Sequence, residues 1–390
     1  MATPLSIGLL SHLASARSPT GAERSLALLA GGLQQRGHRV VVAAPGPGAL
    51  DDGLRGQGVP VDLVPSRMCW LAHYEEEAVG RDLFRRIRWA APGNGRRRLG
   101  AWLAQRRPDV VHVNCLPHVH GAVAAHDLGL PVVWHIREIL PPGRRRRWFA
   151  RQLKTRAGIV VAVSEAVAAW LREEGLEARV EVVHNGVASF DDLPPGKTAR
   201  RALGLEEDGC WVGWFGQLVP HKGTIEFVQA AAAAAEHAPT LRFLIAGAGP
   251  QGYLDRVRQT IAAGGHPERF HLIPPVAEIA PLLAAVDVVS LTSTRPDPFP
   301  RAVLEAMAAG KPVAAFNSGG TGEMVQPENT GLLTRIGDRA ALADALVRLA
   351  ADESLRTRMG AAGAARAREQ FSLLRHLDRM ERIFLQVAGR

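Results

Sequence analysis

Asp297-Pro298-Phe299-Pro300-Arg301-Ala302-Val303-Leu304-Glu305-Ala306-Met307-Ala308-Ala309-Gly310-Lys311-Pro312-Val313 is the stretch that decides how this chain is read. It follows an apolar, strand-like run, Val286 to Leu291, and a short polar loop that carries Arg295 and Pro296. Pro300 stands where a helix can begin, because the first turn has no use for the N–H that proline lacks. The helix is expected to run through Met307 and to stop at Gly310, ahead of Pro312 and a further strand, Val313 to Phe316. Two carboxylates eight residues apart, Asp297 and Glu305, therefore bracket a helix N-terminus. Unpaired backbone N–H groups and the positive end of the dipole make such a terminus an anion site. Carboxylates beside it accept hydrogen bonds from sugar hydroxyls, so the pattern suits a sugar joined to a phosphate.

Working outward, the 390 residues are enough for two domains with full cores. A hydrophobic content of 47% with 22% charged residues is that of a globular protein. No apolar run reaches the roughly 18 residues that a membrane span needs. Met1 to Leu10 lacks a basic start before its apolar part and reads as a first strand, not a signal peptide. Cys69, Cys115 and Cys210 stand far apart, which disfavours a metal site or disulfide framework and fits a reducing cytosol. The expected location is cytoplasmic, with peripheral contact at the inner membrane face as an extension.

Apolar runs alternate with amphipathic helical stretches, the signature of parallel α/β sheets. The expected strands are Ser6–Leu10, Arg39–Ala43, Val110–Val113, Val132–His135, Ile159–Val163 and Arg179–Val183, then Trp211–Phe215, Arg242–Ala246, Arg269–Ile273, Val286–Leu291 and Val313–Phe316. The pattern restarts near residue 210, and Ala188 to Arg200, rich in Asp, Pro and Gly, reads as a linker. The expected fold class is α/β, with two doubly wound Rossmann-like domains facing across a cleft. The first covers residues 1–188 and the second covers 189–370, and Phe371 to Val387 at the end shows helical spacing. Ligands of such sheets bind outside the C-terminal ends of the strands.

Several loops fall at those ends. Gly216-Gln217-Leu218-Val219-Pro220-His221-Lys222-Gly223 follows the strand Trp211–Phe215. Its glycine admits close approach of a ligand, and Lys222 offers a charge for a phosphate; read alone it is also compatible with an ordinary turn. Gly247-Ala248-Gly249-Pro250 follows the next strand and, continued to Gly252, is a literal G-x-G-x-x-G. A dinucleotide fingerprint belongs on the first βα unit, with an acid ending the second strand, and neither condition holds here. Near the start, Thr20-Gly21-Ala22-Glu23-Arg24 opens a helix and brings Gly21 to the same kind of edge. His135 ends a strand, with His112, His118, His120 and His126 as competitors. Asn185-Gly186 favours a tight turn. No D-x-D triplet occurs, so the usual carboxylate handle for a divalent cation is missing.

The net charge of +9 is uneven, since residues 1–190 hold 25 Lys and Arg against 16 Asp and Glu while the remainder balances. The excess gathers in Arg85/Arg86/Arg88, Arg96/Arg97/Arg98, Arg106/Arg107 and Arg144 to Arg147, continuing to Arg151, Lys154 and Arg156. Attraction to an anionic membrane or a phosphorylated acceptor stands beside a plain solvated face. Nucleic acid is not an expected partner, because no recognisable module interleaves aromatic residues with these arginines.

Taken in order, Thr20-Gly21-Ala22-Glu23-Arg24, His135, Asn185-Gly186-Val187, Gly216 with Lys222-Gly223, Gly247 with Gly249, and Asp297 through Glu305 to Val313 resemble a GT-B fold glycosyltransferase of the large retaining family four. Gly319-Gly320 and Glu323 follow at the expected interval. The resemblance implies metal-independent transfer of a sugar from a nucleotide-diphosphate donor with retained anomeric configuration, and no cofactor besides that donor. It implies that Lys222 contacts the diphosphate, that Glu305 holds the ribose, and that Asp297 holds sugar hydroxyls. Phe299, Pro300, Arg301 and Ala302 would offer backbone N–H groups, with Gly216, Gln217, Gly247 and Gly249 shaping the pocket. Gly21 would approach the phosphate, His135 would face the transferred sugar and an acceptor that is lipid-linked or a natural-product glycan, and the terminal helix 371–390 would pack back on the first domain. Two departures stand out: Gln217 replaces the usual Arg, and Asp297 is one methylene shorter than the usual Glu. Arg295 or Arg301 is then left to supply the missing charge. The alternatives are a noncatalytic nucleotide-sugar-binding module, an epimerase or phosphorylase on the same fold, and, remotely, a nicotinamide-dependent oxidoreductase.

Overall fold

A computed structural model describes residues 4–15, 19–66, 94–276 and 278–390. Arg85, Arg86 and Arg88 lie outside the described residues, as does Cys69. The chain divides into two compact units, Met1–Gly186 with Leu373–Arg390 and Val187–Ser372.

The first unit is a parallel sheet of seven strands: β1 (Ser6–Leu10), β2 (Arg39–Ala44), β3 (Val61–Leu63), β4 (Val110–Asn114), β5 (Val132–Ile136), β6 (Ile159–Ala162) and β7 (Val180–Val182). Their spatial order is β3-β2-β1-β4-β5-β6-β7, so the winding reverses between β1 and β4. The central strands are buried on both faces, which is why they read as continuous runs of valine, leucine and isoleucine without alternation. The last helix, Leu373–Val387, belongs to this unit. It places Leu377, Met380, Ile383 and Phe384 in the core that contains Leu26, Leu29 and Leu33. Gly32 makes this packing possible, since a Cβ there would lie 2.4 Å from a Leu377 methyl.

The second unit is a parallel sheet of six strands: β8 (Cys210–Phe215), β9 (Leu241–Ala246), β10 (Phe270–Ile273), β11 (Val288–Leu291), β12 (Val313–Phe316) and β13 (Gly331–Thr334). The order β10-β9-β8-β11-β12-β13 reverses between β8 and β11. In doubly wound sheets the loops flanking such a reversal carry the ligand.

Each of the eleven expected strands has a counterpart, with ends shifted by a residue or two, while β3 and β13 were not anticipated. The stretch read as a linker contains a helix, Gly196–Ala202. Arg200 on that helix is buried; it donates to Ala285 O and Glu207 O at 2.7 Å and pairs with Asp287 at 2.7 Å. The segment is thus part of the second unit's body.

Candidate active site

In the second unit four strand-end loops are fastened to one another. Gly223 has φ +71°, and a Cβ there would meet Thr292 O at 1.8 Å. The Thr292 hydroxyl donates to Gly223 O at 2.6 Å and accepts from the Trp214 indole at 3.1 Å. These contacts join the loop after β8 to the loop after β11, on the two sides of the reversal. The loop after β9 joins them, for Gly247 and Gly249 lie against Gly216 O and Leu218 O, where a Cβ would intrude to 1.8 and 1.9 Å. From β12, Gly320 N donates to Asp297 O at 2.8 Å, and the Ser318 hydroxyl accepts from Asp297 N at 3.3 Å. The glycines here are a packing requirement, since backbone meets backbone at these points.

Lys222 ends a short turn, Pro220–Lys222, and its ammonium lies 2.5 Å from Asp297 Oδ2. The same oxygen accepts from the Ser293 hydroxyl at 3.2 Å. Asp297 is 6% exposed, whereas the Lys222 side chain keeps 26%. The helix Arg301–Ala308 follows, with Pro300 as its N-cap residue. Leu304 is the first residue to bond back, to Pro300 O at 3.2 Å, as expected where a helix leaves its first-turn donors to other partners. Glu305 is buried, and its Oε1 accepts from Arg301 Nε and Nη2 at 3.0 and 2.9 Å. Cations and carboxylates thus alternate along the start of this helix.

The expectations for Phe299 to Ala302 need one correction of chemistry. Pro300 has no N–H to offer, so the donors at this terminus come from its neighbours. Phe299 is buried and packs edge-on against Phe371 at 5.5 Å between centroids. Gln217 is exposed, and its carbonyl accepts from Val219 N. Ser293, Ser318 and Thr292 were missed. Their signal was a polar pair or triplet directly after an apolar strand, Thr292-Ser293-Thr294 and Asn317-Ser318.

In the first unit Gly21 opens the helix Gly21–Gln35, with Thr20 as its cap. The buried Glu23 carboxylate accepts from Thr20 N at 2.8 Å, Ser15 N at 2.9 Å and the Ser15 hydroxyl at 2.5 Å, which ties the loop before the helix to its first turn. At the ends of β4 and β5, Arg137 donates to Asn114 Oδ1 at 2.8 Å and to Asn185 Oδ1 at 2.5 Å. Cys115 between them has φ +78°, a conformation that costs a side-chain-bearing residue energy.

His135 is fully buried, 3.2 Å from His112 Nε2 through its Nδ1 and 3.4 Å from Arg137. Burial, then the Arg137 charge, holds its pKa well below the ordinary histidine value, and His112 is displaced in the same direction for the same reasons. His118 is also buried, which lowers it to about 4. His120 is partly buried and His126 exposed.

Two family models divide the chain along similar lines. The one described as Glycosyltransferase Family 4 matches residues 19–189, and the one described as Glycosyl transferases group 1 matches residues 209–352. The chain belongs to the family-four glycosyltransferases. Among curated relatives, this family-four enzyme is 29% identical to the D-inositol 3-phosphate glycosyltransferase of Corynebacterium urealyticum, over 83% of its own length and 75% of the relative's. It is 33% identical to the Salinispora tropica protein of the same name, over 74% of its own length and 61% of the relative's. Among solved structures, Anabaena HepE with UDP-glucose superposes with a TM-score of 0.81 at 23% identity, covering 98% of this chain and all of that one. The sucrose-phosphate synthase of Thermosynechococcus elongatus gives 0.78 at 19% identity, over 98% and 99% of the two chains. These likenesses establish the GT-B fold of this glycosyltransferase, with its two parallel-sheet units. No helix among the described residues is long and apolar enough to cross a membrane.

Proposed function

We propose that this glycosyltransferase takes its sugar from a nucleoside diphosphate held by the second unit, and that transfer retains the anomeric configuration and needs neither metal nor further cofactor. One observation carries the reading: Lys222 and Asp297, from the loops on either side of the β8/β11 reversal, meet at 2.5 Å just ahead of the helix that carries Glu305. Departure of the nucleotide builds negative charge on its outer phosphate, and Lys222 with the N–H groups of the helix start stabilises that charge. That positive charge takes the place of a divalent cation. Asp297 accepts from hydroxyls of the transferred sugar, Glu305 holds the ribose, and Gly216, Gly247 and Gly249 bring backbone against the diphosphate. In the first unit, Gly21 and the neutral His135 are assigned to phosphate approach and to the acceptor side.

HepE was crystallised with UDP and UDP-glucose, so uridine diphosphate hexoses are the first donors to screen. The relatives named D-inositol 3-phosphate glycosyltransferases make inositol phosphates the first acceptors, with lipid-linked and natural-product glycans next. Lys222→Ala and Glu305→Ala are each expected to lower kcat/KM by roughly a hundredfold or more while the far-UV spectrum is kept. Wild-type turnover in both would overturn the assignment. Activity that survives EDTA, and an NMR-determined product anomer matching the donor, test the other two parts.

A further inference from the structure

Two helices of the first unit carry charge that works against their own stability. Asn94–Arg106 and Arg144–Arg156 flank Val119–Asp127, and each packs against that middle helix. Neither flanking helix contains a single acid. Each begins with clustered arginines, Arg96, Arg97 and Arg98 in one and Arg144 to Arg147 in the other. The N-terminal end of a helix is its positive end, where acids stabilise and cations destabilise. A sequence that breaks this rule twice in one layer points to a partner outside the chain.

Some of this charge is satisfied internally. Arg96 pairs with Asp127, Arg106 with Asp62, and the buried Arg146 with Glu173 and Glu174. Arg97, Arg98, Arg107, Arg144, Arg147, Arg151 and Lys154 are exposed. Among the described residues, none of these seven forms an ion pair. Arg144, Arg147, Arg151 and Lys154 fall within about 80° of one helix face and along ~15 Å of its axis. The opposite face is buried through Arg146, Phe149, Ala150 and Leu153. Trp148, half-buried, borders the stripe, and a ring of this kind favours a boundary between water and apolar material.

We propose that this helical layer is a docking surface for an anionic phospholipid bilayer. The unpaired cations extend ~15 Å along one helix and recur two helices away, about 20 Å distant at ordinary packing separations. One small phosphorylated molecule cannot span that area, whereas a planar array of headgroups can. Single-stranded nucleic acid is matched less well, because it calls for successive stacking rings, and Trp148 is the one Phe, Tyr or Trp on these three helices that is not buried. The inference rests on charge and pairing alone and is independent of the assignment of the donor site.

The test is flotation of the full chain with vesicles of phosphatidylcholine alone and of phosphatidylcholine with an equal part of phosphatidylglycerol. Each cation near an anionic surface contributes roughly fivefold to partitioning. Combining Arg144→Ala, Arg147→Ala, Arg151→Ala and Lys154→Ala is therefore expected to weaken it by several hundredfold. The wild type should float with the anionic vesicles at low salt and be released at high salt. Three Arg→Lys changes on the same stripe should preserve flotation. Arg144→Ala with Arg147→Ala alone should melt no lower than the wild type, since these two remove cations from the positive end of the helix, whereas Lys154 lies in its last turn. Failure to float at low salt, equal flotation on phosphatidylcholine alone, or undiminished flotation of the alanine variant overturns the proposal. Stripe-dependent binding of a labelled oligonucleotide without flotation would overturn it in favour of nucleic acid.

Discussion

The ion pair between Lys222 and Asp297 leads to an unusual expectation for Asp297→Asn. With Lys222 contacting the diphosphate as proposed, the carboxylate holds the ammonium that the donor would use, so donor binding would first have to break a hydrogen-bonded contact of 2.5 Å. Hydrogen bonds to charged groups contribute ~1.5–3 kcal/mol. Because Lys222 keeps about a quarter of its side-chain exposure, the lower end applies, ~1.5 kcal/mol or about tenfold in affinity. Asparagine keeps the shape, and the backbone of residue 297 remains tied to Ser318 and Gly320. The Asp297→Asn protein should then bind UDP about tenfold more tightly by titration calorimetry, while transfer from the sugar nucleotide falls for want of a charged acceptor to the sugar hydroxyls. In a double-mutant cycle with Lys222→Ala the gain should vanish. Weaker or unchanged UDP binding by Asp297→Asn would refute the reasoning.

Other outcomes follow from burial and close contact. Arg200→Ala leaves Ala285 O, Glu207 O and Asp287 without their donor and should cost about 3 kcal/mol, lowering the second unit's melting midpoint by roughly 6–12 °C. Gly249→Ala forces a methyl to within 1.9 Å of Leu218 O, so the loops must separate by about an ångström, and kcat/KM should drop roughly a hundredfold with the fold retained. Acid should weaken the first unit before the carboxylates titrate. His118, with its folded pKa near 4, and His112 and His135, displaced the same way, stay neutral when folded but charge when unfolded below 6.5. Stability is full above that value and declines as pH falls from 6.5 toward 4, by about 1.4 kcal/mol per unit for each histidine. Urea midpoints at pH 7.5 and 5.5 check this; equal values would contradict it.

Much of the fold was legible because parallel strands buried on both faces are written as plain apolar runs. β3 and β13 were not, since Val61–Leu63 and Gly331–Thr334 are three- and four-residue edge strands, one holding an aspartate and the other opening on glycine. The helix start that groups Asp297, Pro300 and Glu305 was legible because the three are near in sequence and each has a local meaning there. The clasp of Arg137 by Asn114 and Asn185 spans separations of 23 and 48 residues, and no periodicity encodes it. The depth of His135 escaped for a related reason. A strand's C-terminal residue reads as exposed until its neighbouring strands are known.

The terminal helix bears on how the polypeptide is made. Leu377, Met380, Ile383 and Phe384 complete a core whose other buried members all lie between Leu5 and Val183. Domains usually mature in the order of translation. Here the half begun first keeps an open apolar groove beside Gly32 until the segment carrying Leu377 to Phe384 has left the exit tunnel. The half begun second has all its parts sooner, so translation order and folding order are reversed.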